Sequence, residues 1–490
     1  MDIEEFIKTS LKNEKNEDEL IDNLKDIIIH YKQIPEDKAE LLSKTVVDEI
    51  ITTQNLNHEN IEHLLTYPHT NIKMGEFGVG SRGEGDFYVH SKIAEIIKNT
   101  KTNALVDPIA QDDGGVIKVD DTHYITTAID GIHSRLGDYP FLAGFHTARA
   151  TLRDVCVMGA TPVALISDIH LADDGDIGKI LDFTAGICAV SELTNVPLVA
   201  GSTLRIGGDM VLGDRLTGAV GAVGISDHKP TARSEACLGD VILMTEGCGG
   251  GTITTTSIYN DYTDVIEQTM NIQFIKAAEL LNNYPKSDVI HAMTDITNGG
   301  INGDANEINK TTHLGIKLYK QKILDLINPH VLGMLEDLAI DPLGVSIDSV
   351  MIIADKNEAD NIMKMLRSEN IKVDIIGEIT DTGYTCIEDK YGNSEILKPK
   401  FRESAYTPIK KIIDQLTDNN FDESAHIIDE KTREAIDKKN FIVDEIRKRY
   451  EWKRILSSIW CTNWNNNINN TNRTWILHIW QWTCSLWSRR

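Results

Sequence analysis

Tryptophan is missing from the first 451 residues of this 490-residue chain, and all seven lie between Trp452 and Trp487. Residues 451–490 hold the run NWNNNINNTN and a single acid, Glu451, against five basic residues. One polypeptide under a single folding constraint rarely changes composition so abruptly. Residues 451–490 are therefore expected to be a translation of a wrong reading frame or a similar artefact, with a membrane- or partner-binding tail as the alternative. Basic charge is scarce as well: Lys+Arg number 49 against 75 Asp+Glu, a formal charge of −26. That excludes a general attraction to nucleic acid or to anionic membrane. A nucleotide would need local help from a metal or from backbone amides. The seven cysteines form no CxxC pair and no regular framework, which suits a reducing cytoplasm better than secretion. No stretch approaches the roughly 18 uninterrupted apolar residues of a membrane span. The opening MDIEEFIKTSLKNEKNEDEL also lacks the apolar core of a signal peptide.

What is present is organised in blocks. Residues 1–67 read as amphipathic helices (FIKTSLKN, ELIDNLKDIIIHY, AELLSKTVVDEIITT), a helical extension. Glycine then becomes frequent in GEFGVGSRGEGD. Strand and helix patterns alternate from THYITTAI through RLTGAVGAVGI, and the alternation predicts an α/β or α+β domain over 70–228. It restarts at GDVILMTEG, passes through a long helical stretch in YTDVIEQTMNIQFIKAAELL, and continues to VDIIGEIT, a second α/β domain over 229–400. A helical segment is expected over 401–450.

The first α/β block places carboxylates at glycine-rich or strand-end positions: Asp112 and Asp113 in AQDDGGVI, Asp130 in TTAIDGIH and Asp154 in ATLRDVCVMGATP, followed by the turn GSTLRIGGD. Adjacent anions repel and adjacent glycines cost backbone entropy. Hard cations such as Mg²⁺ take oxygen ligands and would offset that repulsion. An exposed turn or a helix cap is the plain alternative for each aspartate taken singly.

The order of a glycine-rich loop, DD with small residues and VI, TT..DG.H, RD.C.MGATPVAL and a GST turn resembles the ATP-dependent aminoimidazole ribonucleotide (AIR) synthetase superfamily. That superfamily includes thiamine-monophosphate kinase, selenophosphate synthetase and the hydrogenase maturation protein that dehydrates a carbamoyl group. HAMTDITNGGINGDANEI, His291 to Ile308, resembles its C-terminal signature. The resemblance covers roughly 70–390 and is nearest to archaeal selenophosphate synthetase-related proteins. It implies an α/β (α+β) subunit with an N-terminal mixed-sheet domain and a C-terminal α/β domain. It also implies a cytoplasmic homodimer that pairs the strands of its first domains, with ATP at or near that interface. Asp112, Asp113, Asp130 and Asp154 would then hold Mg²⁺–ATP, with Asp113 and Asp130 catalytic. Gly78, Gly80, Gly83 and Gly85 would form a loop over the phosphates, and Arg82 and Arg153 are the nearest fixed cations, each equally readable as exposed or salt-bridged. Thr294, Asp295, Asn298, Gly299 and Gly300 would face the site from the second domain. The implied reaction is transfer of the γ-phosphate to a small-molecule acceptor. The alternative is a maturation or regulatory partner that binds nucleotide without turning over a free metabolite.

Departures bear on which member this is. The glycine loop carries neither the reactive cysteine nor the lysine usual in selenophosphate synthetases, Arg153 stands where several relatives have Asn, and Ser202 stands where an acid is frequent. Other features have plain readings. TEGCGGGT is an anion cradle or a turn. Asp173, Asp174 and Asp176 are caps rather than metal ligands. His133 is either a substrate contact or a structural histidine, and Cys156 and Cys188 are expected in the core. His146 and His170 are isolated and suggest no zinc site.

Overall fold

The computed structural model describes residues 1–13, 16–56, 61–80, 83–297, 299–398, 400, 404–416 and 420–465, with side chains for most of them as far as residue 450. Arg82, Asn298 and residues 466–490 of the tail lie outside the described residues. The chain forms two units, one of residues 1–54 and 72–421, the other of residues 55–71 and 422–490.

The first unit opens with the helices α1 (Ile3–Lys12), α2 (Glu17–Lys32) and α3 (Glu36–Gln54). Asp2 and Asn16 cap the first two by accepting the backbone N–H of Glu5 and Asp18. Apolar stripes containing Ile7, Leu24 and Val47 meet in a small core that also takes in Leu212. Lys32 on α2 pairs with Asp173 and, at 2.9 Å, with Asp174. These two acids therefore anchor the helical extension and neither cap a helix nor wait for metal. Asp176 accepts the N–H of Gly178, at 2.7 Å, from the position before the N-cap, which is Ile177 and makes no side-chain cap. The short α4 (Glu62–Leu65) belongs to the second unit.

After α5 (Glu84–Lys98) come β1 (Gly115–Lys118), β2 (Tyr124–Gly131), α6 (Pro140–Val157), β3 (Thr161–Leu171), α7 (Gly178–Thr194), β4 (Leu198–Arg205) and β5 (Leu216–Ser226). The strands form a sheet in the order β1-β2-β5-β3-β4, with β3 and β4 parallel and the other pairs antiparallel. Leu152 of α6, Phe183 of α7 and Val220 of β5 share the core beneath it. Cys156 lies in that core as expected, whereas Cys188 is exposed on α7. The opposite face is uncovered. Register aligns Ile129 of β2, Gly221 of β5 and Ile166 of β3 in one row, and Ile129 and Ile166 are 71% and 42% exposed.

The next elements are β6 (Val241–Thr245), α8 (Gly251–Asn260), α9 (Thr263–Thr269), α10 (Gln273–Asn282), β7 (Ile290–Asp295), α11 (Gly300–Thr312), β8 (Gly315–Tyr319), α12 (Lys320–Leu324) and α13 (Pro329–Asp337). They are followed by β9 (Val350–Ala354), α14 (Ala359–Ser368), β10 (Val373–Thr380), β11 (Thr385–Glu388) and β12 (Ser394–Ile396). The seven strands run β12-β11-β8-β10-β6-β9-β7 in a mixed sheet. Its central strands VILMT and VMIIA are buried at every residue, as continuous apolar runs require. The expected long helix is instead broken between α9 and α10. The reason is tertiary: the carbonyls of Thr269 and Asn271 at the break accept hydrogen bonds from Arg149, at 2.7 and 2.8 Å. α15 (Pro408–Leu416) and the start of α16 (Phe421–Asn465) complete this unit. No described helix is long and apolar enough to cross a membrane.

In the second unit, α4 and α16 meet edge-on through the rings of His63 and Phe441, 5.2 Å apart, and Lys438 donates to the carbonyl of Thr66.

The two helices under the first sheet approach closely because glycines face each other's backbone. A Cβ on Gly144 of α6 would lie 2.0 Å from the carbonyl oxygen of Phe183, and one on Gly186 of α7 would lie 2.2 Å from that of Phe141. Gly144→Ala is expected to destabilise the fold by about 1–3 kcal/mol, read as a lower urea midpoint at unchanged slope. An unchanged midpoint would contradict this packing.

Candidate functional site

The site is built from the ends of elements. β1 is preceded by Gln111–Gly114, Asp130 is the penultimate residue of β2, and α6 presents His146, Arg149, Arg153 and Asp154. A 3-10 turn, Arg233–Glu235, links the two sheets. From the second sheet come Thr294 and Asp295 at the end of β7, Asp304 and Glu307 on α11, and Asp348 before β9.

Arg153 does not stand free for a phosphate. Its guanidinium pairs with Asp295 and Asp348 and lies 3.4 Å from Asp154. Arg149 shares Asp348 with it and also donates to the carbonyl of Gly249, at 2.9 Å. Arg233, 1% exposed, is the cation facing the adjacent aspartates. Its NH2 lies 2.8 Å from Asp113, its backbone N–H donates to Asp112 at 2.9 Å, and its NH1 pairs with Glu307 at 2.8 Å. Thr294 Oγ1 accepts from its NH2 at 2.7 Å, and Asp304 Oδ1 lies 3.6 Å away.

Three guanidinium groups thus face seven carboxyls: Asp112, Asp113, Asp154, Asp295, Asp304, Glu307 and Asp348. The charge does not balance, and burial magnifies the shortfall. Burial, with Asp295 and Asp112 nearby, raises Asp113 to about 7 despite Arg233. Burial and the charges of Asp295, Asp130 and Asp113 hold Asp154 well above the carboxylate range, against the pull of Arg153. Burial likewise raises Asp304 and Asp112. Asp348 goes down, because Arg149 and Arg153 outweigh its burial.

Asp113, Asp130, Asp154 and Asp295 are therefore brought within electrostatic reach of one another. They do not close to a cluster with three ligand atoms inside 4.8 Å among the described residues. The donor set nevertheless fits a hard cation. It is all oxygen, it is short of positive charge, and the buried Oδ2 of Asp112 has no hydrogen-bond partner.

Two cavities flank this network. One of about 790 Å³ is lined by Met74, Val79 and Gly80, by Asp130 and Arg153, and by Gly250 and Gly251 at the start of α8. The other, of about 550 Å³, lies against the uncovered sheet face at Ile129, Ile166 and Gly221 and is bounded by Asp112, Asp113 and Glu307. Asp86 and His90 of α5 border both.

The glycine-rich segment contributes unevenly. Gly78 and Gly80 take left-handed φ angles of 74° and 78°, and the N–H of Gly80 donates to Asp86 at 2.9 Å. Gly83 is the N-cap of α5, and Gly85 is buried in its first turn. Gly299 and Gly300 turn the chain into α11, again with positive φ, and a Cβ on Gly300 would lie 2.5 Å from the carbonyl oxygen of Leu343. His133 has both ring nitrogens in hydrogen bonds, each 2.9 Å long, to Thr255 and to the Tyr406 hydroxyl. It nonetheless borders the larger cavity.

Sequence reasoning missed Asp86, Arg149, Arg233, Asp304, Glu307 and Asp348. A signal existed for three of them. Asp304 and Glu307 sit three apart on a helix, hence on one face, and Asp348 lies two residues before a fully apolar strand.

Comparison with known proteins places this architecture. The N-terminal domain model of AIR synthase related proteins matches residues 111–226, and the C-terminal domain model matches 225–389. The chain belongs to the AIR synthase related family. An uncharacterized protein of Methanocaldococcus jannaschii is 50% identical over 455 residues, covering 92% of this chain and 99% of its own length. The thiamine-monophosphate kinase of that organism is 26% identical, covering 63% of this chain and 98% of the kinase. A crystal structure of a HypE–HypF complex shares the fold at 20% identity and a TM-score of 0.52, covering 63% of this chain and 99% of the matched chain.

The raised Asp113 has a thermodynamic consequence. Between the ordinary carboxylate value of 3.8 and about 7 the folded state keeps a proton that the unfolded state has lost, so the group's contribution to stability falls as pH rises through that window. The stability of Asp113→Asn minus that of wild type is expected to climb between pH 4 and 7 and level off above, read by denaturant titration without ligands. A flat difference would refute the assignment.

Proposed function

We propose that the chain is an ATP-dependent, Mg²⁺-requiring enzyme that transfers the γ-phosphate of ATP to a small-molecule acceptor. The observation that carries the reading is the surplus of buried carboxyls over guanidinium groups between two cavities, under a glycine-bearing segment. Phosphoryl transfer demands positioning and charge neutralisation more than covalent participation. Asp112, Asp113, Asp130 and Asp154 would hold Mg²⁺, whose chemistry here is neutralisation of the triphosphate. Arg153 and Arg233 position those carboxyls and do not contact phosphate themselves. Gly78 and Gly80 allow backbone amides to approach phosphate oxygens closely. Thr294 and Asp295 fix the second-domain side through Arg233 and Arg153.

Neutral Asn resembles the protonated acid that burial imposes on Asp154. Asp154→Asn is therefore expected to keep or raise the thermal midpoint of the nucleotide-free protein while lowering ATP turnover on the order of 10²-fold, measured by phosphate release with a panel of candidate acceptors. Wild-type turnover in that variant would refute the site. Tight nucleotide binding by wild type without turnover on any acceptor would favour the partner-protein reading.

The uncovered face of the first sheet supports a homodimer in which Ile129 and Ile166 are covered. Light scattering is expected to give twice the chain mass for wild type and the chain mass for Ile129→Lys with Ile166→Lys. A monomeric wild type would contradict it.

A further inference from the structure

Four residues after Arg233, the chain carries Cys237 and Asp240 past the start of β7, where His291 projects from the neighbouring sheet edge. A thiol sulfur, a carboxylate oxygen and an imidazole nitrogen of these three residues all lie within 4.8 Å of one another. Asp240 is 4% exposed, His291 half-buried and Cys237 exposed. Asp240 Oδ2 accepts the backbone N–H of Cys237 at 2.7 Å and lies 2.8 Å from His291 Nδ1. A turn capped by a carboxylate, with a histidine resting on it, would explain two of the three residues. It leaves the sulfur beside them without a purpose, since its partner is only the Glu235 carbonyl, at 3.4 Å. No part of the phosphoryl-transfer reading uses any of the three.

We propose that Cys237, Asp240 and His291 form a binding site for a borderline divalent cation of the Zn²⁺ class, separate from the aspartates that would hold Mg²⁺. Sulfur, nitrogen and oxygen donors in one group select zinc over a hard cation. Three protein ligands with an exposed side leave a fourth tetrahedral position to water. Cation entry displaces the thiol proton, which passes to solvent, and a neutral His291 that binds through the nitrogen facing Asp240 keeps its one proton on the other ring nitrogen. Their spacing of 3 and 51 residues explains why no sequence motif announces them.

The place of the site gives it a role. The loop it would fix follows directly on the turn bearing Arg233, and β7, which it would fix at one end, carries Thr294 and Asp295 at the other. A cation here would clamp together the two segments that hold the adjacent aspartates in place. It would act on the nucleotide site through position, from outside.

The test uses the full chain, stripped with chelator and titrated with Co²⁺ alone and then Zn²⁺ alone. One equivalent of Co²⁺ is expected to give a thiolate charge-transfer band that Zn²⁺ abolishes, and Zn²⁺ is expected to raise the thermal midpoint. In Cys237→Ser the band should vanish and the Zn²⁺-induced rise with it, and in His291→Gln affinity should fall at least about tenfold. Absence of the band in wild type, or an unchanged band in Cys237→Ser, would overturn the proposal. Neither readout involves nucleotide, so the outcome is independent of whether the phosphoryl-transfer reading survives.

Discussion

A buried guanidinium cannot shed its proton, so a protein that buries three of them must build the interior around their charge. Arg149, Arg153 and Arg233 impose that constraint here. Each reaches across a boundary between elements far apart in the chain. Arg149 and Arg153 leave one helix of the first sheet domain and end on Asp348 and Asp295 of the second. Arg233 sits in the connection and reaches back to Asp112 and Asp113 and forward to Glu307. The joint between the two sheets therefore carries a buried ionic network beside the apolar contacts of α6 with Ile275 and Ala278 of α10. Removing one partner would leave the others uncompensated in a poorly solvated space.

That joint also explains details that helical periodicity alone would not allow. The break between α9 and α10 exposes two carbonyls to Arg149. Thr269, whose carbonyl is one of them, directs its hydroxyl to Thr254, which in turn contacts His146. Burial and the neighbouring Arg149 keep His146 far below its usual titration range. It stays neutral beside the guanidiniums, where a second positive charge would be repelled. The surplus is thus carboxyl throughout, which is the charge that the proposed Mg²⁺–nucleotide site would offer to a cation.

Much of the fold was legible because burial writes itself into periodicity. The strands THYITTAI, PVALISDIHLA and VILMT and the helix around ATLRDVCVMGA read correctly from alternation and spacing, since each must turn one face, or both, toward a core. The site was legible only where a motif is contiguous. The DDGG pair and the TDITNGG turn stand out in the sequence. Arg233 does not, because its partners lie 120 residues upstream and 61 or more downstream, and an arginine in HKPTAR looks like any solvated one. Arg153 was visible, but the sequence left it open between a phosphate contact and a salt-bridged arginine, and the fold pairs it with Asp295 and Asp348. The long-helix error has the same origin, since a tertiary hydrogen bond to Arg149 outweighs a run of good helix formers.

Part of the larger cavity's wall comes from residues that follow the family's two domains, whose match ends at residue 389. Tyr406 donates or accepts at His133, and Lys410 lies over the Tyr406 ring, 3.9 Å from its centroid. Both border the cavity, as do Thr407 and Ile409. The buried carboxyls all lie within the part of the chain that the family shares, whereas part of the cavity wall comes from outside the matched domains, from Met74 to Gly80 on one side of them in the chain and Tyr406 to Lys410 on the other. Membership of the family therefore constrains the carboxyls far more than it constrains the shape and chemistry of the rest of the cavity.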